Sequence, residues 1–307
     1  MKRKPPGQAD LRRLAAIAHD VRNGVPTIKH AYFGPGARKF LDILDSEEYG
    51  VCRAETTIIE NNLDALREFA RDRHLVVLGT GDGRKVRGLL GGESGATLVD
   101  ISPGMLGLCR KALAGLGAVG LNSMEADFEQ LDFRIFGSAP VFVFLGGTLG
   151  NVEDPERFLG ALGSVPGARL ILGMEVPCRY TDEKIAGILS EYKNEEGFRF
   201  VFYPLEMLGF RREWGEMDVR FSREARRVEE KFIVRKMPGQ GVLEASPELA
   251  GVDEALLSIS YKIPLEEFIG MIRDAGFAIH SRLSQGMNCI FLLEAGGKGP
   301  GPGLSPP

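Results

Sequence analysis

The sequence predicts an α/β fold with a mostly parallel sheet, and three observations support this prediction. Short apolar segments alternate with helical segments through the middle of the chain. The first of these segments, LVVLG (75–79), is apolar throughout, which is typical of parallel strands that are buried on both faces. The first of them is followed directly by a glycine-rich turn and a helix. Strands that alternate with helices form parallel sheets with right-handed crossovers.

Five strands are predicted in order between residues 75 and 174. They are LVVLG (75–79), ATLVD (96–100), a short segment near 121–125, VFVFLGG (141–147) and ARLILGM (168–174). Helices are predicted at 85–90, 103–113 and 155–162, and a proline near the first turn supports the second of them. This order of elements predicts a Rossmann-like core.

The alternation of strands and helices ends after about residue 174. Residues 182–196 are predicted to be helical, and residues 199–262 to form strands joined by turns. Residues 265–277 predict an amphipathic helix that ends at Gly276, and a β-hairpin around QGM follows. We therefore predict a core of residues 61–198 and 263–295, and a second, smaller lobe of residues 1–60 and 199–262.

The composition is that of a globular protein with a slight acidic excess. The 307 residues are 44% hydrophobic and 26% charged, with a net charge of −4 and a pI of about 5.8. This charge disfavours a nucleic-acid partner, which usually requires a basic excess. Arginines between 211 and 227 could form a local basic patch, but solvated strand and turn faces are the favoured interpretation.

Cysteine usage and the chain ends indicate the cellular compartment in which we expect the protein. The four cysteines form no CxxC pair and the four histidines are scattered, so no metal site is predicted. We expect a reduced, cytoplasmic protein without a signal peptide or a membrane-spanning segment. The glycine- and proline-rich residues 296–307 are expected to be a disordered tail. The sequence leaves the oligomeric state open.

The sharpest motif is GTGDGRK at 79–85, which follows a strand and begins a helix. Gly79, Thr80 and Gly81 are predicted to bind a cofactor through close backbone approach. The spacing of Gly79, Gly81 and Gly83 does not give the G-x-G-x-x-G pattern of NAD enzymes, and the Gly-Asp-Gly end of the loop is closer to the form found in methyltransferases. Lys85 lies at a helix start, where the helix dipole disfavours a cation. A cofactor carboxylate would offset this effect, and the alternative is a solvent-exposed lysine.

Two carboxylates follow the next strands. Asp100 ends the second strand about 20 residues after the glycine loop, where a carboxylate can accept both ribose hydroxyls. Asp127 and Phe128 follow the third strand and suit an adenine, through a hydrogen bond to N6 and ring packing. The alternative for Asp127 is a helix cap or turn.

Six blocks of the chain resemble one known family. They are KHAYFGPGARKFLDILDSEEYGVCRAE, LGTGDGRKVR, VDIS, FLGGTLGN (144–151), EYKNEEGFRFVFY (191–203) and SISYKIPLEEF (258–268). The family is that of the histidine-specific S-adenosylmethionine-dependent methyltransferases, and the resemblance covers roughly residues 27–294. It implies a class I methyltransferase sheet with a second, smaller substrate-recognition lobe. Val77 departs from the family, which usually has an acidic residue before the glycine loop.

The resemblance also implies roles for individual residues. Tyr49 precedes the family's Arg-x-Glu, which is Arg53 and Glu55 here. Asn151, Tyr192 and Tyr49 are implied to hold the amino and carboxylate ends of an amino-acid substrate and to act in catalysis. The alternatives are an asparagine cap for Asn151 and a half-buried helix tyrosine for Tyr192.

Further positions come from the same resemblance. Gly146 of FLGGTLGN is implied to contact the cofactor. Ser258 and Ser260 occupy the family's Glu-x-Ser pair, whose glutamate binds the imidazole of histidine. Because a site built to bind one polar group discriminates through it, we expect these serines to bind a substrate other than histidine.

The sequence therefore predicts an S-adenosylmethionine-dependent methyltransferase that N-methylates an amino acid or a related small amine. Two alternatives stay open. One is a methyltransferase acting on a protein or RNA, which the arginines at 211–227 weakly favour. The other is a non-catalytic cofactor-binding module, which the departures at Val77 and Ser258 would fit.

Overall fold

The structure is a computed structural model that describes residues 8–44, 50–90, 95–115, 120–177, 179–236 and 246–296. The predicted tail lies outside these residues except for Gly296. By packing, the chain divides into two compact units, which are Met1–Glu48 with Asp182–Ser260 (unit 1) and Tyr49–Thr181 with Tyr261–Pro307 (unit 2). The lobe bounds drawn from the sequence stay a prediction, and by packing residues 182–198 group with the segment that follows them.

The described residues form the following strands and helices. The strands are β1 (Leu75–Leu78), β2 (Ala96–Asp100), β3 (Leu121–Glu125), β4 (Val141–Phe144), β5 (Arg169–Glu175), β6 (Gly215–Ser222), β7 (Arg227–Val234), β8 (Glu254–Tyr261), β9 (Phe277–Gln285) and β10 (Asn288–Ala295). The helices are α1 (Gln8–Asn23), α2 (Ile28–Ala31), α3 (Gly36–Leu44), α4 (Gly50–Asn61), α5 (Leu63–Ala70), α6 (Arg84–Arg87), α7 (Pro103–Leu113), α8 (Pro155–Gly163), α9 (Asp182–Tyr192), α10 (Glu195–Val201), α11 (Tyr203–Met207) and α12 (Leu265–Asp274). None of these helices is long and apolar enough to cross a bilayer.

Unit 2 is built on a seven-stranded sheet in the order β3-β2-β1-β4-β5-β10-β9. Strands β1 to β5 pair in parallel, whereas β10 is antiparallel to both β5 and β9. The α/β prediction is confirmed, and the last two strands form the predicted hairpin. Its turn contains Gly286 and Met287, which separate β9 from β10.

The central strands of this sheet are buried on both faces. Val76 and Leu78 of β1 belong to one apolar cluster, and Leu75 and Val77 belong to the cluster on the other face. Continuous apolar segments were therefore a reliable signal of parallel strands. Val77 is 2% exposed, so its side chain is part of the core.

The helices around the sheet begin at identifiable caps. The Ser102 hydroxyl accepts the Met105 N–H at the start of α7, and Asp154 accepts the Arg157 N–H at the start of α8. Each cap satisfies a backbone N–H that lacks a partner within its helix. Helix α6 has only four residues and is shorter than the predicted 85–90.

Unit 1 contains α1 to α3, α9 to α11 and the three-stranded sheet β6-β7-β8. The prediction of strands from residue 199 onward was wrong as far as residue 207, because α10 and α11 lie there. The Asn194 side chain caps α10 by accepting the Gly197 N–H at 2.6 Å. Pro204 lies in the first turn of α11. Both residues favour helix starts, which the apolar pattern alone did not indicate.

Candidate active site

The carboxyl ends of β1 and β4 form the candidate cofactor site of unit 2. Strand β1 pairs with β2 on one side and with β4 on the other, so the order of the strands reverses at this point. In open α/β sheets, ligands bind in the crevice at such a reversal. The glycine loop that follows Leu78 lies there.

Two glycines of this loop have different surroundings. A Cβ at Gly81 would meet nothing within 4 Å, so this backbone borders open space. A Cβ at Gly83 would lie 3.0 Å from the Cys109 sulfur, so this backbone packs closely against α7. Both residues have positive φ, at 54° and 84°, which favours glycine. The loop therefore presents bare backbone on one side and is anchored on the other.

Asp100 fixes the glycine loop. Its Oδ2 accepts the Thr80 N–H at 2.9 Å and the Thr80 hydroxyl at 3.1 Å, and its Oδ1 accepts the Ser102 N–H at 2.9 Å. Burial raises the pKa of this carboxyl, and the three hydrogen bonds oppose the rise. A carboxylate has about four acceptor positions, so room remains for a ligand hydroxyl. The predicted ribose contact of Asp100 stays a prediction.

Asp127 and Phe128 lie just beyond the end of β3. Asp127 caps a short 3₁₀ helix, Phe128–Gln130, by accepting the Glu129 N–H at 3.0 Å. This is the cap that the sequence allowed as an alternative. The Phe128 ring packs edge-on against Phe144 at 5.3 Å between centroids, and a Cβ at Gly79 would lie 3.5 Å from its edge. The ring therefore lies beside the glycine loop.

Lys85 is not a solvent-exposed lysine, because its ammonium contacts Glu55 at 2.5 Å. The Gly146 N–H also donates to the Glu55 carboxylate, at 2.9 Å to each oxygen. Glu55 is 3% exposed, and a Cβ at Gly173 would lie 1.8 Å from its Oε1. Glu55 belongs to the Arg-x-Glu pattern, but no site role was predicted for it from the sequence.

Asn151 ends a 3₁₀ helix, Thr148–Asn151, that follows β4. This turn lies beside the glycine loop, because a Cβ at Gly79 would lie 3.6 Å from the methyl group of Thr148. Asn151 is half-buried, and among the described residues its side-chain amide has no hydrogen-bond partner. Asp154, not Asn151, caps the next helix. Tyr49, the other residue of unit 2 for which a substrate role was predicted, lies outside the described residues.

The predicted residues of unit 1 lie on α9 and β8. Tyr192 is the last residue of α9 and is half-buried. Ser258 and Ser260 are 3% and 7% exposed on β8. The Ser258 hydroxyl donates to the carboxyl of Glu230 on the neighbouring strand β7. Burial raises the pKa of Glu230 to about 7, and the bond from Ser258 opposes this rise.

Glu230, like Glu55, is a buried carboxyl group that was not predicted from the sequence. The alternation along β7 was a signal, because Val228, Glu230 and Phe232 are buried while the residues between them are partly exposed. A glutamate in the buried register of a strand is unusual, since charged residues are rarely fully buried without a partner.

The sheet order, the glycine loop and the carboxylate after β2 together define a class I S-adenosylmethionine-dependent methyltransferase. Residues 17–293 match the model of the family described as histidine-specific, SAM-dependent methyltransferases. Because this match spans most of the chain, the protein belongs to that family, and its cofactor is S-adenosylmethionine. No curated protein matched the chain.

Many solved structures match the fold, and two of them illustrate the similarity. An S-adenosylmethionine-dependent methyltransferase from Clostridium acetobutylicum has a TM-score of 0.50 and 12% identity, over 85% of this chain and 99% of that chain. Magnesium protoporphyrin IX methyltransferase from Synechocystis, with bound SAH, has a TM-score of 0.51 and 14% identity, over 87% and 98%. At these identities the similarity concerns the fold alone.

The residues at the carboxyl ends of β1, β2 and β4 fit S-adenosylmethionine. The open side of Gly81 leaves room for a ligand at the backbone, and Asp100 retains acceptor capacity. When bound, the cofactor supplies a methyl group on a positively charged sulfur. The chain's own residues then need to bind and orient the acceptor, because methyl transfer depends strongly on the in-line position of the nucleophile.

Proposed function

We propose that the protein transfers a methyl group from S-adenosylmethionine to the nitrogen of an amino acid or a related small amine other than histidine. The main support is Asn151. Its amide is half-buried and has no hydrogen-bond partner among the described residues, and the turn that it ends lies beside the glycine loop. Because the amide is only partly buried, its oxygen and nitrogen are available to bind a ligand at the carboxyl end of β4.

Asn151 is suited to an amine because its side-chain carbonyl can accept an N–H of the acceptor. That bond would direct the nitrogen lone pair, and the nitrogen must be unprotonated to attack. Tyr192 and Tyr49 are proposed to hold the acceptor carboxylate or to accept a proton through water, and this part rests on the family resemblance. No covalent intermediate with the protein is needed.

The choice against histidine rests on Ser258. Histidine-specific relatives are expected to carry a glutamate at this position, and a serine hydroxyl is shorter and uncharged. Loss of a buried group that binds one substrate feature changes specificity strongly. The acceptor is therefore proposed to differ from histidine in its side chain.

A macromolecular acceptor is less favoured because the arginine-rich segment is neutralised. Five of its arginines form ion pairs within unit 1, namely Arg211 with Glu213, Arg212 with Glu195, Arg220 with Asp218, Arg223 with Asp182 and Arg227 with Glu229. Arginines that are already paired offer less net positive charge to a phosphate backbone.

The proposal is tested with the full chain and methyl-labelled S-adenosylmethionine. The acceptors are a panel of L-amino acids and small amines that includes histidine, and a host-cell extract separated into small molecules, protein and RNA. Label on a small amine supports the proposal. Label on histidine alone, or only on protein or RNA, refutes it.

Asn151→Ala tests the assigned residue. We expect kcat to fall about 100-fold, since a misplaced nucleophile loses that order of rate, while the Kd for S-adenosylmethionine changes little. Asn122→Ala on the exposed edge strand β3 is the matched control and should behave as the wild type. Unchanged turnover in Asn151→Ala would remove Asn151 from the mechanism.

A further inference from the structure

A buried carboxylate in unit 2 connects the two loops that border the cofactor site. The glycine loop follows β1 and continues into α6, which contains Lys85, and Gly146 lies just after β4. The Glu55 carboxylate, on α4, contacts the Lys85 ammonium at 2.5 Å and accepts the Gly146 N–H at 2.9 Å. Because β1 and β4 are neighbours in the sheet, Glu55 bridges the loops on both sides of the reversal in strand order.

The two members of this ion pair differ in their access to solvent. The Lys85 side chain is 17% exposed, and that of Glu55 only 4%. A Cβ at Gly173 on β5 would lie 1.8 Å from the Glu55 Oε1, so β5 closes one side of the carboxylate. A Cβ at Gly146 would lie 3.6 Å from the Lys85 nitrogen, which places the ammonium beside the loop that follows β4. The lysine is therefore the member of the pair that a ligand can reach.

Fastening α4 to the sheet does not require this ion pair. Apolar residues of similar volume often stabilise a protein as well as a buried ion pair does, and α4 already packs on the sheet through Ile58 and Ile59. The carboxylate adds a fixed positive charge, since an ammonium without a partner is costly to keep in a mostly buried position. A lysine normally loses side-chain freedom when it binds an anion, and here Glu55 restricts it beforehand.

The cofactor of this family carries a group that such an ammonium binds. The methionine part of S-adenosylmethionine ends in a carboxylate, and an ammonium has three N–H donors, so the contact with Glu55 does not by itself exhaust them. We infer that Glu55 is a positioning residue that holds the Lys85 ammonium beside the glycine loop, where the ammonium binds this carboxylate. Glu55 acts through Lys85 and does not contact the cofactor. The inference goes beyond the proposed function, because it does not depend on which molecule accepts the methyl group.

The test measures the Kd of two ligands by calorimetry, on the full chain. S-adenosylhomocysteine keeps the amino-acid part of the cofactor, and methylthioadenosine lacks it. Glu55→Gln keeps the size of the side chain and an oxygen that can accept the Gly146 N–H, but it removes the charge. We expect the Kd of S-adenosylhomocysteine to rise about 3- to 10-fold in Glu55→Gln, because Lys85 must then be ordered on binding, while the Kd of methylthioadenosine stays unchanged. Glu60→Gln, an exposed change on the same helix, is the matched control and should bind both ligands as the wild type does.

A second background tests whether Glu55 acts through the lysine. In Lys85→Met, adding Glu55→Gln should cause no further rise in the Kd of S-adenosylhomocysteine, since the residue that it positions is already gone. A further rise there equal to that in the wild-type background overturns the inference. An equal rise for both ligands in Glu55→Gln, which a purely structural role would give, overturns it too, as does an unchanged or lower Kd of S-adenosylhomocysteine. The two ligands are compared on the same protein, so this result is decisive even if Lys85→Met does not fold.

Discussion

Replacing Glu230 by glutamine is expected to flatten the pH dependence of the stability of unit 1. Burial raises the pKa of this carboxyl from 4.5 to about 7 in the folded chain. Below pH 4.5 the group is protonated in both states and has no effect. As the pH rises toward 7 the unfolded chain releases this proton first, so the wild type loses stability. Above pH 7 the loss is complete.

The size of the effect follows from the two pKa values. The rise in pKa from 4.5 to about 7, at about 1.4 kcal/mol for each unit, corresponds to a loss of about 3 kcal/mol in the free energy of unfolding. Glutamine does not titrate, so the variant should not show this loss. Burial also raises the pKa of Asp100 in unit 2. Because Asp100 is present in both proteins, its contribution cancels in the difference between them.

Trp214 makes the measurement specific to unit 1. It is the single tryptophan of the chain, and it ends the 3₁₀ helix that leads into β6. Urea unfolding followed by its fluorescence at pH 5, 6, 7 and 8 gives the free energy of unfolding at each pH. From pH 5 to 8 the wild type should lose about 2 to 3 kcal/mol relative to Glu230→Gln, because part of the full loss has already occurred at pH 5.

Glu229→Gln, on the partly exposed face of the same strand, serves as the control, and it should follow the wild-type curve. Parallel curves for wild type and Glu230→Gln would refute the reasoning, because they would mean that the Glu230 carboxyl titrates near its ordinary pKa. A difference that grows as the pH falls would refute the sign of the effect.

Two further substitutions test the residues around the glycine loop. Asp100→Ala should weaken S-adenosylmethionine binding about 10- to 100-fold by calorimetry, because the loop loses the acceptor of its Thr80 bonds, whereas Glu125→Gln at the exposed end of β3 should not. Equal affinities would remove Asp100 from the site. Glu55→Ala should lower the free energy of unfolding by about 3 kcal/mol, because Lys85 is left without its buried partner. Chemical denaturation measures the free energy of unfolding of this variant and of Glu60→Ala, an exposed substitution on the same helix. If both variants lose the same free energy of unfolding, the stabilising role of the Glu55–Lys85 pair is contradicted.

The sheet could be predicted from the sequence because each feature that indicates it is formed by residues adjacent in the chain. Each central strand is a continuous apolar segment, and the glycine loop stands next to the first of them. The segment that became α10 and α11 was harder, since its aromatic residues favour strands. Contacts distant in sequence accompany its helical form, such as Phe202 packing on Phe232 at 4.8 Å between ring centroids.

Two buried polar contacts could not be predicted from the sequence for a related reason. Asp100 ends β2, the glycine loop follows β1, and the turn that ends at Asn151 follows β4, so topology places them at one edge of the sheet. Glu55 bonds Gly146 across 91 residues, and Glu230 bonds Ser258 across 28 residues. Periodicity reports whether a residue is buried, but it does not report which distant group it meets.

The close approach of Gly173 to Glu55 couples two positions that lie far apart in the sequence. Any side chain at position 173 would occupy the space of the Glu55 carboxylate, and the displaced carboxylate would leave the Lys85 ammonium without its neutralising partner. A single added methyl group inside the sheet would therefore change the net charge beside the glycine loop. Sequences with a larger residue at position 173 should lack the acidic residue at position 55, and the two substitutions should be tolerated together more readily than either alone.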